Sequence, residues 1–102
     1  MTETPSLRVL VVDDERPIRR FLRTMLDGAY TLFEAENGAE ALQMAYINRP
    51  DLVILDLGLP DMDGLEVTRR LREWTLMPVI VVSVRDSQDD KVAALDAGAD
   101  DY

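Results

Sequence analysis

Runs of branched aliphatic residues alternate along the chain with stretches whose apolar positions recur every three or four residues. Leu7–Val12 is Val- and Leu-rich and predicts a strand. Ile18, Phe21, Leu22, Met25 and Leu26 fall at helical spacing and predict one buried helix face. Pro17 suits that helix's first turn and Gly28 its end. Tyr30–Ala35 reads as a second strand. Asn37 can cap a helix to Asn48 with Ala41, Leu42, Ala45 and Tyr46 as its stripe, and Pro50 stops it. Leu52–Leu55 is apolar throughout, which predicts a strand buried on both faces, as in a parallel sheet. Gly58, Pro60 and Gly64 punctuate a loop over 56–64, and a helix follows to about Trp74. Pro78 opens a fourth strand over 79–84, and Ser87 and Asp90 form a capping pattern for a helix ending at Gly98.

A strand followed by a helix, four times over, predicts an α/β fold with helices on both faces of a parallel sheet. The expected organisation is a short flexible N-terminus, 1–6, then one domain over 7–102, because 102 residues suit one core of ordinary size. Phe21, Tyr46 and Trp74 are expected to be core or half-buried packing residues. The chain has no cysteine and no histidine, which removes disulfides, thiolate chemistry, Cys/His zinc sites and every His-based catalytic arrangement. A net charge of −9 disfavours nucleic acid and anionic membranes as partners and suits a cation or a basic partner, although many domains are acidic simply for solubility. No apolar run approaches the roughly 20 residues of a membrane span, and 1–6 lacks a signal-peptide pattern, so the expected address is the cytoplasm.

In open α/β sheets, sites form beyond the carboxyl ends of the strands. Asp13, Asp14 and Glu15 follow the first strand, Asp56 follows the third, and Ser83 stands at the end of the fourth. If those strands are neighbours, three carboxylates meet and repel, and a hard divalent cation with oxygen ligands resolves the conflict. The competing interpretation is that Asp13 and Asp14 only cap the first helix. Arg16, Arg19, Arg20 and Arg23 form an i, i+3, i+4, i+7 stripe, either a solvated face or a docking face for an acidic partner. Asp61, Asp63 and Gly64 resemble part of a calcium loop, but the position that needs Glu is Arg70. No phosphate-binding glycine motif of nucleotide sites is present.

The segments 11–15, 51–56, 59–64, 78–83 and 97–102, read as VVDDE, DLVILD, LPDMDG, PVIVVS and AGADDY, resemble receiver domains of bacterial two-component response regulators. Segments 18–24 and 56–61 resemble the OmpR/PhoB class, and within it the potassium-responsive regulators. The resemblance implies a flavodoxin-like (CheY-like) sheet with strand order 2-1-3-4 over the residues given. It also implies Asp56 as phosphoacceptor, taking a phosphoryl group from a sensor histidine kinase. Mg2+ would be held by Asp14, Asp56 and the Gly58 carbonyl, with Asp13 on a metal-bound water. Ser83 would hydrogen-bond the transferred phosphoryl group, and Tyr102 would be the aromatic switch. The parent would carry a winged-helix DNA-binding domain, and a second copy of the chain would be among the partners; this domain itself would bind neither DNA nor membrane.

The resemblance also implies a fifth strand carrying a lysine, and a fifth helix, beyond Tyr102. The only lysine here is Lys91, expected to be a solvated residue of the last helix. Without the fifth strand, the fourth is expected to present an open edge. Val84, beside Ser83, is bulkier than the small residue common in the family and is expected to slow phosphoryl exchange. Two alternatives from other classes are a pseudo-receiver acting as an interaction module, and a phosphatase with an aspartyl nucleophile. The expected role is a signalling receiver rather than an enzyme.

Overall fold

The computed structural model describes residues 7–83 and 88–102. Four strands and four helices alternate: β1 Leu7–Val12, α1 Arg16–Leu26, β2 Tyr30–Ala35, α2 Gly38–Asn48, β3 Leu52–Leu55, α3 Gly64–Arg72, β4 Val79–Val81 and α4 Gln88–Ala97. All pairings are parallel and the strand order is β2-β1-β3-β4, as the resemblance implied. Residues 1–6, Val84 and Ser87 lie outside the described residues, so the flexible N-terminus, the narrowed access and the Ser87 cap stand as expectations.

Alternation along the strands divides the sheet into two faces. Leu10, Val12, Val53, Leu55, Val79 and Val81 point into one core with Ala41 and Ala45 of α2, Val67 and Leu71 of α3, and Ala94 of α4. The buried side chains that α2 and α4 contribute to this core are alanines, which allow a helix to approach a sheet closely. α1 packs against β1 and β2. It has no buried residue, which corrects the expected buried stripe. Leu22 and Leu26 are half-buried, while Ile18, Phe21 and Met25 are exposed. The other three helices contribute to the opposite layer, so nothing among the described residues covers the outer side of α1.

Phe21, Tyr46 and Trp74 are all exposed, which corrects their expected core or half-buried place. Tyr46 and Trp74 meet edge to face at 5.7 Å on the surface, and the Arg49 guanidinium stacks over both rings at 5.0 and 5.2 Å. β4 ends at Val81, earlier than expected. Its edge is not fully open: Ile80 bridges Asp101 in parallel, with Asp100 N–H donating to Val79 O and Val81 N–H to Asp101 O.

Two aspartates of the 56–64 loop are bonded to helix N-termini. Asp63 Oδ1 accepts from Leu65 N–H at the start of α3. Asp61 accepts from Gly38 N–H (2.7 Å) and Ala39 N–H (2.9 Å), tying the loop to the start of α2, where Asn37 caps Glu40 N–H. These two amides hold the Asp61 carboxyl below the ordinary carboxylate range. A depressed folded-state pKa stabilises fully above the unfolded value, about 3.9, and is lost as pH falls through the folded value. Asp61→Asn is therefore expected to lower Tm at pH 7, with the gap to wild type closing on acidification toward pH 3. Parallel melting curves across that range check this; a gap that widens in acid refutes it.

Candidate functional site

The site grows from the register of β1 and β3. Val12 pairs with Leu55, so the residues that follow each strand emerge side by side. Asp56 N–H donates to Val12 O (2.9 Å), and Asp13 N–H donates to Ala35 O of β2 (3.1 Å). Asp13, Asp14 and Asp56 each offer a carboxylate oxygen within 4.8 Å of the others. Asp13 is buried, Asp56 half-buried and Asp14 exposed, so the acidic pocket they form runs from the interior to the surface.

Burial lifts the Asp13 carboxyl above its ordinary range. The Glu15 N–H, 2.9 Å from Asp13 Oδ1, opposes the shift, and the charges of Asp56, Asp14 and Glu15 add to it. The helix-capping alternative for these acids loses its basis, because the N-cap of α1 is Glu15 and makes no side-chain cap bond. Three convergent carboxylates with little neutralisation between them are a donor set for a hard cation.

The loop after Asp56 is held close. Gly64 N–H donates to Leu57 O, and Gly58 bridges Asp63. A Cβ on Gly58 would stand 3.9 Å from Asp56 Oδ2, so Gly58 lies beside the Asp56 carboxylate. Val82 N–H donates to Leu55 O, which brings the end of β4, and Ser83 after it, to the same sheet edge. Ser83 and Tyr102 line one groove of about 350 Å³, and Lys91 lines it with them. Lys91 is half-buried, which corrects its expected place on a solvated face. Tyr102 packs partly against the core.

The arginine stripe also splits. Arg16 and Arg20 are exposed, but Arg19 turns inward, its side chain only 11% exposed. Its Nη1 donates to Asp13 O (2.8 Å) and its Nε to Glu34 Oε1 (3.2 Å). Arg23 Nε donates to Glu34 Oε2 (2.8 Å). Glu34 is drawn below its ordinary range by these arginines against the opposing effect of burial. Sequence spacing gave no sign of this, because Glu34 reaches α1 only through β2's place beside β1.

Residues 9–102 match the model of the family described as response regulator receiver domain. The KDP operon transcriptional regulatory protein KdpE of Escherichia coli is 59% identical over 95 residues, which are 92% of this chain and 42% of that protein. The response regulator MprA of Mycobacterium ulcerans is 50% identical over 99 residues, 95% of this chain and 43% of that protein. The chain thus spans less than half the length of these relatives. The receiver domain of the Francisella response regulator 1452 superposes with a TM-score of 0.89 at 33% identity, covering 95% of this chain and 82% of that one.

Proposed function

The chain belongs to the response regulator receiver family, and from that premise we propose that Asp56 is its phosphoacceptor and that Asp13, Asp14 and Asp56 hold Mg2+. The observation that carries this reading is the convergence of three carboxylates within 4.8 Å at the ends of β1 and β3. The donor set fits the ion: Mg2+ takes oxygen ligands and commonly one or two carboxylates with water and phosphate oxygens. Held there, the ion would supply positive charge to offset that on phosphoryl oxygens. Gly58, at the pocket's border, would supply its carbonyl.

In the transfer, an Asp56 carboxylate oxygen attacks phosphorus. A P–O bond to Asp56 forms as the bond to the donor's imidazole nitrogen breaks, and that nitrogen keeps the electron pair. Asp13 would orient a water beside the pocket, and Ser83 would donate to a phosphoryl oxygen after transfer. Tyr102, in the same groove as Ser83, would change its packing as that hydroxyl moves. The added charge, roughly −1.5 to −2 for phosphorylated side chains generally, gives the surface a second state to favour.

The donor in this reading is a sensor histidine kinase, and the parent protein is a cytoplasmic transcriptional regulator whose further domain binds DNA. No described helix is long and apolar enough to cross a membrane. Incubation with Mg2+ and a small phosphoryl donor is expected to add one phosphoryl group by intact mass, and Asp56→Asn to add none. Mass gain at another residue, or no gain with Mg2+ present, overturns the assignment. Continuous release of phosphate from phosphoesters favours the aspartyl phosphatase instead.

A further inference from the structure

We propose that Arg19 is a positioning residue for the acidic pocket: by holding the Asp13 carbonyl, it fixes the Asp13–Asp14 peptide and so aims Asp14 at the metal. The inference rests on the Mg2+ reading above and extends it to a residue outside the carboxylates. Asp13 is fixed on both sides. Its N–H donates to Ala35 O of β2, and its C=O accepts from Arg19 Nη1 at 2.8 Å. The second bond orients the peptide plane that leads into Asp14. Asp14 is exposed, and among the described residues no hydrogen bond holds its side chain in the way Glu15 N–H holds Asp13. Its approach to the pocket is therefore set mainly by its backbone.

Arg19 is itself well placed to hold that backbone. Glu34 Oε1 accepts from its Nε at 3.2 Å, and Glu36 Oε2 lies 3.8 Å from its other terminal nitrogen. Glu34 is in turn bonded by Arg23. The planar guanidinium can bond β2 and the β1–α1 loop at once, a geometry that a lysine ammonium cannot reproduce at both ends. β2, which supplies no carboxylate to the pocket, thus governs its geometry through one side chain.

The sign of the effect separates positioning from charge. Arg19 is a cation near a cation site, so on charge alone its removal strengthens Mg2+ binding. If Arg19 positions the pocket, its removal weakens binding. Loss of a group that orients metal ligands typically costs about 10- to 100-fold in affinity. The test uses the whole 102-residue chain with Mg2+ alone, titrated calorimetrically, in wild type, Arg19→Met, Arg19→Lys and Arg23→Met. Arg23→Met removes a cation from the same Glu34 but no contact to Asp13.

The expected result is about tenfold weaker Mg2+ binding in Arg19→Met, partial recovery in Arg19→Lys, and wild-type or tighter binding in Arg23→Met. A metal-free arm measures amide exchange at Glu15 N–H, which donates to Asp13 Oδ1. That amide is expected to exchange faster in Arg19→Met and unchanged in Arg23→Met. Equal or tighter Mg2+ binding in Arg19→Met, or unchanged exchange there, overturns the proposal. Wild type that fails to bind Mg2+ overturns the metal reading instead, while the exchange arm still decides whether Arg19 holds the loop.

Discussion

Gly64→Ala is expected to destabilise the protein by about 2 kcal/mol, within the range of an overpacked core, and to impair phosphorylation of Asp56. Gly64 opens α3 directly beneath the residue proposed to accept the phosphoryl group. A Cβ there would stand 2.6 Å from Asp56 O and 2.8 Å from Leu57 Cα. Both are backbone atoms, so neither can swing aside as a flexible side chain would. Relief requires moving α3 away from the strand end or moving the Asp56–Leu57 backbone itself. The first breaks the bond from Gly64 N–H to Leu57 O. The second displaces Asp56 relative to Asp13 and Asp14.

The nearby Gly58 supplies the contrast. A Cβ at that position meets only Asp56 Oδ2 at 3.9 Å, an ordinary contact. Gly→Ala at a compatible position stabilises by about 0.4–1 kcal/mol through the unfolded chain. Gly58→Ala is therefore expected to be neutral or slightly stabilising. Urea denaturation of the two variants checks the difference in stability, and Mg2+ titration reports on the pocket. Equal stabilities would show that the loop yields at Gly64 more readily than its geometry indicates. At about 4–8 °C per kcal/mol for a domain near this size, the Gly64 variant is expected to melt roughly 10 °C lower.

These glycines illustrate what the sequence displays and what it hides. The continuous apolar run of Leu52–Leu55 and the Asp directly after it were enough to place Asp56 at the mouth of a parallel sheet. Asp13 and Asp14 follow by the same logic, because strand ends in such sheets share one edge. The order of the strands, which makes β1 and β3 neighbours, came from resemblance. Periodicity then misled at α1. Ile18, Phe21 and Met25 have the spacing of a buried face, yet spacing records only which residues share a side, not whether anything packs there. Arg19 failed in the opposite sense: it belongs to a charged stripe, and only β2's position beside β1 turns it inward. Lys91 looked like one more solvated charge of a helix, and the fold brings it to the groove of Ser83 and Tyr102. In each case the missing information is the identity of a neighbour distant in sequence.

Arg72→Met is expected to cost about 3 kcal/mol, because several bonds to charged or part-buried groups end together, each worth about 0.5–3 kcal/mol. Arg72 closes α3, and its side chain is 17% exposed. Nε donates to Gly98 O (2.9 Å), Nη1 to Met77 O (2.8 Å) and Thr75 O (3.3 Å), and Nη2 to Asp100 Oδ2 (2.8 Å). The same Asp100 oxygen accepts from Val79 N–H at the start of β4. One guanidinium thus joins the end of α3, the entry to β4 and the turn after α4. That turn depends on Gly98, whose φ of +113° favours glycine and whose Cβ would strike the Arg72 side chain.

Methionine keeps most of the apolar stem but leaves the carbonyls without their donor. The Asp100 ion pair is the smaller part of the loss, because Asp100 is about half exposed and water screens it. A double-mutant cycle with Asp100→Asn is therefore expected to give a coupling of no more than about 1 kcal/mol. Arg72→Lys should recover less than half of the stability, since an ammonium cannot reach acceptors on both sides as the planar fork does. The effect should extend to the edge of the sheet. Asp100 and Asp101 bond to β4 directly after the clamped turn, so Val81 N–H, which donates to Asp101 O, is expected to exchange faster in Arg72→Met. A coupling energy that accounts for the whole loss would instead make the ion pair the principal support. The turn's hold on β4, and with it the placement of Tyr102 beside Ser83, would then respond strongly to salt. If the carbonyls dominate, the clamp keeps most of its strength at high ionic strength.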